Sequence, residues 1–360
     1  VRRPRRLGNS SATKMLCAYY SRGCDSRDLF ADLKIAEAAS FEQNLNQYDV
    51  IYLDITLFLS TLKQSDMLVA QIEQEIIDDL AQSYPEIAVE HRLVDALCKM
   101  NQITGRKLIL IIDEWDAMFR ECKGADEILD NYILLLRSLF KSSLTDQLFA
   151  GVYMTGILPI KKYGHESAVS DFYEYSMVEP RPLQEYIGFT TEEVKSLCQK
   201  YDKDYTIMQE WYDGYTVGGV HVYNPKSVME SILRDKYSSY WTKTETYEAL
   251  RNYIDMNFDG LKDTVVDMLG GEKCEVDTGS FQNDMTSMKS RDDVLTLLIH
   301  LGYLAYDEDT RCVSIPNVEI REEFIRAIKN GISPNRKHLI RYWIKSIQVY
   351  SKVIRETSCW

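Results

Sequence analysis

One stretch of this chain constrains its fold more than any other. Residues Leu108–Ile112 (LILII) are apolar without interruption and run straight into Asp113-Glu114. Aliphatic side chains with no polar alternation are the pattern of a strand buried on both faces, and such strands belong to parallel sheets covered by helices. Two further segments share the character. Asp49–Phe58 (DVIYLDITLF) has the β-branched and aromatic content of a buried strand, and Leu148–Met154 (LFAGVYM) reads as a third, ending at Thr155-Gly156. Helical stripes lie between them: Leu68, Ile72, Ile76 and Leu80 repeat every four residues, and Ile128, Tyr132, Leu135, Leu136 and Leu139 form a second face. Ser10–Tyr20 reads as a short helix. Alternation of this kind predicts an α/β fold with a parallel sheet.

The pattern changes after about Pro182, where helices dominate. Thr190-Thr191-Glu192-Glu193 is a capping box opening a helix whose inner face carries Val194, Leu197 and Cys198. Asn224-Pro225 supplies an N-cap and a proline at the first helical position, so Ser227–Leu233 should be helical. Leu261–Leu269 forms another helix, stopped by Gly270-Gly271. From Ser290 the expected order is helix (Arg291–Leu301), Gly302 cap, strand (Tyr303–Tyr306), acidic turn, strand (Cys312–Ile315), Pro316 and helix (Val318–Lys329). That order outlines a winged-helix-like module. With 360 residues the chain is long enough for two or three domains. The expected boundaries are 1–182 for the sheet core, 183–285 for the helical region, 286–330 for the winged-helix-like module and 331–360 for a basic tail.

Charge narrows the partners. The formal net charge is −13, which excludes a general binder of the nucleic-acid backbone. The balance is uneven: residues 1–14 and residues 331–360 each carry +5, so the intervening body carries −23. At 45% hydrophobic and 27% charged residues, neither disorder nor a fibrous fold fits. No apolar run approaches the roughly 20 residues that span a bilayer. Eight cysteines lie far apart with no CxxC pair and no histidine nearby in sequence, which argues against zinc and for reduced thiols in a cytoplasmic protein.

Chemistry concentrates at three places. Arg3-Pro4-Arg5-Arg6-Leu7-Gly8-Asn9-Ser10-Ser11 has the outline of the phosphate loop G-x-x-x-x-G-K-[ST] before a helix, with Arg3 at the first glycine and Asn9 at the lysine. Gly8 still admits a phosphate to the backbone, and Ser10 still offers a hydroxyl to a metal at a helix N-terminus. Alone, the segment reads more readily as a solvated basic turn. Leu108–Ile112 followed by Asp113-Glu114 fits a Walker B strand that delivers Asp113 toward a metal and Glu114 toward an attacking water, although an acidic pair can also cap the next helix. Thr155, at the end of the third strand, stands where a polar sensor of a γ-phosphate would sit, or where a strand simply turns. The three occur in the order of a P-loop ATPase core.

On these residues the chain resembles the AAA-ATPase-like family, a set of predicted bacterial ATPases whose loop reads RPRRxGKS or RPRRxGKT. The likeness runs through RRPRRLGNS (2–10), LIIDEWDAMF (110–119, with Trp115 where a tyrosine is usual), MTGILPI (154–160), EYIGFTTEEV (185–194) and EWYDGY (210–215). It continues through VYNPKSV (222–228), YWTKTETYEALRNYI (240–254), LLIHLGYLAY (297–306) and IPNVEIREEF (315–324). The resemblance implies a three-layer P-loop core that binds ATP and Mg²⁺. Arg5, Arg6, Gly8, Asn9, Ser10 and Ser11 would then contact nucleotide, Ser10 and Asp113 the metal, while Glu114 and Thr155 would be catalytic. It also implies association with a C-terminal PD-(D/E)XK nuclease-like domain, of which residues 331–360 would be only the beginning. Asn9 in place of the lysine, and only Val1-Arg2 where a strand should precede the loop, point to weak or lost hydrolysis. The alternatives are a truncated, non-catalytic relative that binds a protein partner, and the remnant of an ATPase–nuclease fusion.

Other candidates carry less. Glu193-Val194-Lys195 matches half of a nuclease motif but sits on a capped helix. Trp211–Tyr215 reads as packing more than as base stacking. The winged-helix-like segment carries Asp292, Asp293, Glu319, Glu322 and Glu323, which favours a structural role over DNA reading. The five histidines have no partner spacing and receive no role.

Overall fold

The computed structural model describes residues 1–4, 7–62, 66–122, 124–141, 144–158, 172–186, 188–241, 250, 254, 257–279, 281 and 288–331. The chain divides into two compact units, one of Val1–Ser176 and one beginning at Met177. The first is mixed α/β and contains a three-stranded parallel sheet.

That sheet has β1 (Asp49–Asp54), β2 (Leu108–Asp113) and β3 (Phe149–Met154) in the order β1-β2-β3, all parallel. Only β2 is buried at every residue; β1 and β3 each leave residues partly open. Its central place accounts for this, because a strand with neighbours on both edges and cover on both faces has no side open to water. The expectation of three strands buried throughout therefore holds for β2 alone. Asp54 lies opposite Asp113, and Ile112 opposite Met154, so the strands end together.

The expected strand Asp49–Phe58 is corrected to its first six residues, Asp49–Asp54. Asp54 accepts the Leu57 amide at 3.1 Å and so caps a helix over Ile55–Thr61. Residues 55–58 are strand-like in composition, but the cap decides the conformation. Likewise Leu148 closes a helical turn, Thr145–Leu148, and does not open β3. Both helical stripes are realised, in Leu68–Ser83 and Asp126–Phe140. They bury Ile72, Ile76, Ile128, Tyr132 and Leu136 in one continuous core with Leu97, Leu110 and Ile112. Each such aliphatic side chain contributes about 1.5–3 kcal/mol.

The helix α1 (Asn9–Tyr20) packs against β1 and β2. Val1–Arg3 run parallel alongside the end of β3: the Gly156 amide donates to the Val1 carbonyl and the Arg3 amide to the Gly156 carbonyl, each at 3.3 Å. On their other side the Arg2 amide donates to the Tyr175 carbonyl at 2.7 Å. The segment before the loop thus extends the sheet beyond β3, short as it is.

In the second unit a small antiparallel sheet joins Phe189–Thr190, Val220–Tyr223 and Tyr215–Val217, strands that the helical expectation had omitted. They are too short for a period-two pattern to be visible. The capping box at Thr190 and the Asn224 cap form as expected. Gly214 has φ +111°, and a side chain there would meet the Pro316 carbonyl oxygen at 1.9 Å, so the Asp213-Gly214 turn admits no larger residue. A second antiparallel sheet has Cys312–Ser314 between Cys274–Glu275 and Ala305–Asp307, followed by a helix over Val318–Gly331. All seven described cysteines are free thiols. Among the described residues no helix is long and apolar enough to cross a membrane.

Candidate functional site

The site begins with the carboxylate of Asp113, carried to the end of the sheet by the most buried strand and only 1% exposed. An anion withdrawn from water must be hydrogen-bonded; the hydroxyls of Thr155 and Tyr52 do this, and that of Thr13, whose shorter bond of 2.9 Å goes to the Ser10 carbonyl, lies nearby. Thr155 donates to Oδ1, and Tyr52 of β1 and Thr13 of α1 approach Oδ2 at 3.1 and 3.4 Å. Each comes from a different element packed around β2. Burial first and Asp113 second push the Tyr52 hydroxyl well above its usual range, so it stays a donor. The same two causes raise the half-buried Cys17 thiol on α1 to about 11.

Thr155 is fully buried and continues the β2–β3 pairing past Met154: its amide donates to the Ile112 carbonyl at 2.9 Å, and its carbonyl accepts from Trp115 at 3.0 Å. The Glu114 amide lies 3.4 Å from the Thr155 hydroxyl oxygen. The adjacent Asp113 and Glu114 therefore meet Thr155, distant from them in sequence, at one point. Glu114 has φ +54°, and its carboxylate is ion-paired with Arg120. The Arg120 Nε is also 3.3 Å from Asp116, whose Oδ2 accepts the amides of Ile157 and Leu158 at 3.2 and 2.9 Å.

The loop reaches the same point through α1. Gly8, in the left-handed region at φ +101°, turns the chain into the helix, and no side chain among the described residues caps that first turn. Free amides at a helix start favour an anion. Ser10 and Ser11 are exposed there. Asn9 is buried: its Nδ2 donates to the Arg3 carbonyl at 3.0 Å, and its Oδ1 has no partner among the described residues. Thr13, one turn beyond Ser10, supplies the hydroxyl that faces Asp113.

The arginines divide. Arg2 is paired with Glu174, and Arg3 donates to the Ser176 carbonyl; both are almost wholly buried. Burial lowers each to about 10, with Glu174 opposing the shift at Arg2, so both remain cations at neutral pH. Arg5 and Arg6 lie outside the described residues.

A hard-oxygen donor set of one carboxylate and neighbouring hydroxyls suits Mg²⁺, which takes one or two carboxylates and completes its shell with water and phosphate. Among the described residues no group of three or more His, Cys, Asp or Glu gathers as a metal site. Sequence reasoning missed Thr13, Tyr52, Asp116 and Arg120. Thr13 follows Ser10 by three residues on one helix face and Arg120 follows Asp116 by four, so helical spacing held part of that signal.

In the second unit His221 Nδ1 lies 3.2 Å from both Asp213 oxygens, a pairing across the Asp213-Gly214 turn and the adjoining hairpin. Tyr212 and Tyr215 are buried, in keeping with packing and not base stacking.

Residues 1–165 match the model of the AAA-ATPase-like family, described as a predicted AAA-ATPase. No curated protein matches the chain.

Proposed function

Taking residues 1–165 as a member of the AAA-ATPase-like family, we propose that the first unit binds ATP with Mg²⁺ and hydrolyses it weakly or not at all. The observation that supports this reading most is the approach of the Thr13 hydroxyl, 3.4 Å away, to the Asp113 carboxylate that Thr155 donates to. It sets the uncapped first turn of α1 against the acidic end of β2, which is the meeting a phosphate loop and a metal-bearing carboxylate require.

In this reading Gly8 and the amides of Asn9, Ser10 and Ser11 cradle phosphate oxygens, and Arg5 and Arg6 supply positive charge. Ser10 and Asp113 hold the metal, which neutralises the charge between phosphates when it is bound. Glu114 orients the attacking water, and Thr155 senses the γ-phosphate through the hydroxyl it shares with Asp113. Asn9 is the weak point. Its amide is engaged with the Arg3 carbonyl, so position 9 itself offers no cation to the terminal phosphates. A charge-assisted hydrogen bond contributes roughly 1.5–3 kcal/mol, so its loss costs about ten- to a hundredfold.

Calorimetric titration of Mg²⁺–ATP into the chain and into Asn9→Lys tests this. The expected result is weak binding by the first and binding ten- to a hundredfold tighter by the second. No binding by either protein defeats the reading and favours the alternative of a non-catalytic module for a protein partner. The inward-facing Asn9 is the observation on that side.

For the second unit, the sheet of Cys274–Glu275, Cys312–Ser314 and Ala305–Asp307 supports a winged-helix-like module that starts before residue 286. Its carboxylates are engaged internally. Asp293 closes a capping box with Ser290, Glu319 accepts from Ser227 and Tyr240, and Glu323 accepts from Ser239. A structural role fits these better than DNA contact. Residues 331–360, read as the start of a nuclease-like domain, are described only at 331. A cytoplasmic location rests on the free thiols.

A further inference from the structure

Glu114 is the carboxylate that the nucleotide reading needs as an acceptor for a water proton, yet the structure gives it another partner. Arg120 donates from Nη2 to Glu114 Oε2 and from Nε to Asp116 Oδ2. The three side chains are secluded: Arg120 is 11% exposed, Glu114 18% and Asp116 2%. Solvent screens such a cluster little. Resting on the reading of an ATP site, we infer that Arg120 is a positioning residue that withholds Glu114 from the attacking water, a restraint additional to the loss of the lysine at Asn9.

Three features carry this. The Glu114 backbone is committed: at φ +54° it follows a strand whose end is tied by the Trp115 amide to the Thr155 carbonyl and by the Tyr132 hydroxyl to the Trp115 carbonyl at 3.0 Å. Its carboxylate is therefore placed by side-chain torsions alone, and those are held by Arg120. Arg120 itself cannot swing away freely, because Asp116 anchors its Nε and is in turn pinned by two backbone amides, those of Ile157 and Leu158. The restraint is thus built into the turn after β3. Finally, the bond from Arg120 occupies one of the two carboxylate oxygens that an attacking water would have to meet.

Release follows from the same contacts. Any movement of residues 157–158 that draws Asp116 from Arg120 loosens the cation's hold on Glu114. Position 120 lies on the helix Ala117–Glu121, six residues beyond the carboxylate it holds, so the control belongs to the strand-to-helix turn itself.

The test uses all 360 residues of the chain with Asn9→Lys, to which Arg120→Gln, Glu114→Gln or both are added. Mg²⁺–ATP affinity is read by calorimetry and hydrolysis by single-turnover assay. Arg120→Gln keeps a donor for Asp116 and removes the charge; Arg120→Ala is the second variant should the glutamine fold poorly. The expected result is hydrolysis roughly ten- to a hundredfold faster with Arg120→Gln, with affinity unchanged within a few-fold. The gain should vanish when Glu114 is glutamine and should not appear with Arg120→Lys. A merely structural arginine would not show dependence on Glu114. ATP bound without a gain in rate, a slower rate, or an equal gain in the Glu114→Gln background overturns the inference. ATP bound by none of the proteins instead defeats the nucleotide reading beneath it.

Discussion

Replacing Thr155 by valine removes one hydroxyl and keeps the branched shape that fits beside β2. Thr155 is fully buried and donates to Asp113, itself 1% exposed, so no water can replace the lost donor without opening the strand ends. A hydrogen bond to a charged group contributes roughly 1.5–3 kcal/mol. Asp113 keeps its bond from Tyr52 and the approach of Thr13, and the Glu114 amide loses its 3.4 Å acceptor, so about 2 kcal/mol is the expected cost. Thr155→Ser retains the hydroxyl and loses one methyl group, about 0.8 kcal/mol. With two units in the chain a single melting curve would mix transitions. Amide exchange followed by mass spectrometry resolves them by peptide. A loss of about 2 kcal/mol accelerates exchange of the β2 and β3 peptides roughly thirtyfold, and the serine variant only a few-fold. Equal rates for valine and serine would refute the bridge from Thr155 to Asp113, and with it the argument that this hydroxyl assembles the site.

Three further outcomes follow from single contacts. Gly214→Ala should destabilise the second unit by more than about 3 kcal/mol, because a methyl at positive φ meets backbone and not a movable side chain; unchanged exchange in peptides around 210–223 would contradict this. Thr190→Ala removes the side-chain half of a capping box, leaving the backbone amide of residue 190 on Glu193, and should cost about 1 kcal/mol, read as faster exchange in Thr191–Lys200 alone. Cys17, raised to about 11 from 9.0 by burial and then by Asp113, should be alkylated at pH 8 about a hundredfold more slowly than an unperturbed thiol. The raised value also means that the neutral thiol favours the folded state. That contribution is complete below pH 9.0 and is lost as pH rises through about 11.

What could be read from the sequence was whatever short-range physics decides. β2 was legible because five apolar residues in a row leave few alternatives, and its acidic end followed. Thr190 with Glu193 and Asn224 with Pro225 were legible because caps act within four residues. The end of β1 was misread for a related reason: Asp54 is also a cap, but the β-branched residues around it outweighed that one signal. Tyr52 and Thr13 were invisible, since their roles depend on which strands pair and on which side of the sheet α1 lies. Arg120 was invisible as well. Its link to Glu114 spans six residues across a turn at positive φ, a spacing that no regular element presents.

The most direct measurement of the nucleotide site is amide exchange with and without Mg²⁺–ATP on the Asn9→Lys chain. Protection confined to the start of α1, around residues 7–16, and to the end of β2, around 108–116, is the expected result. Exchange unchanged at both places under saturating nucleotide, or protection only in the second unit, would show that the meeting of Gly8, Thr13 and Asp113 does not bind ATP.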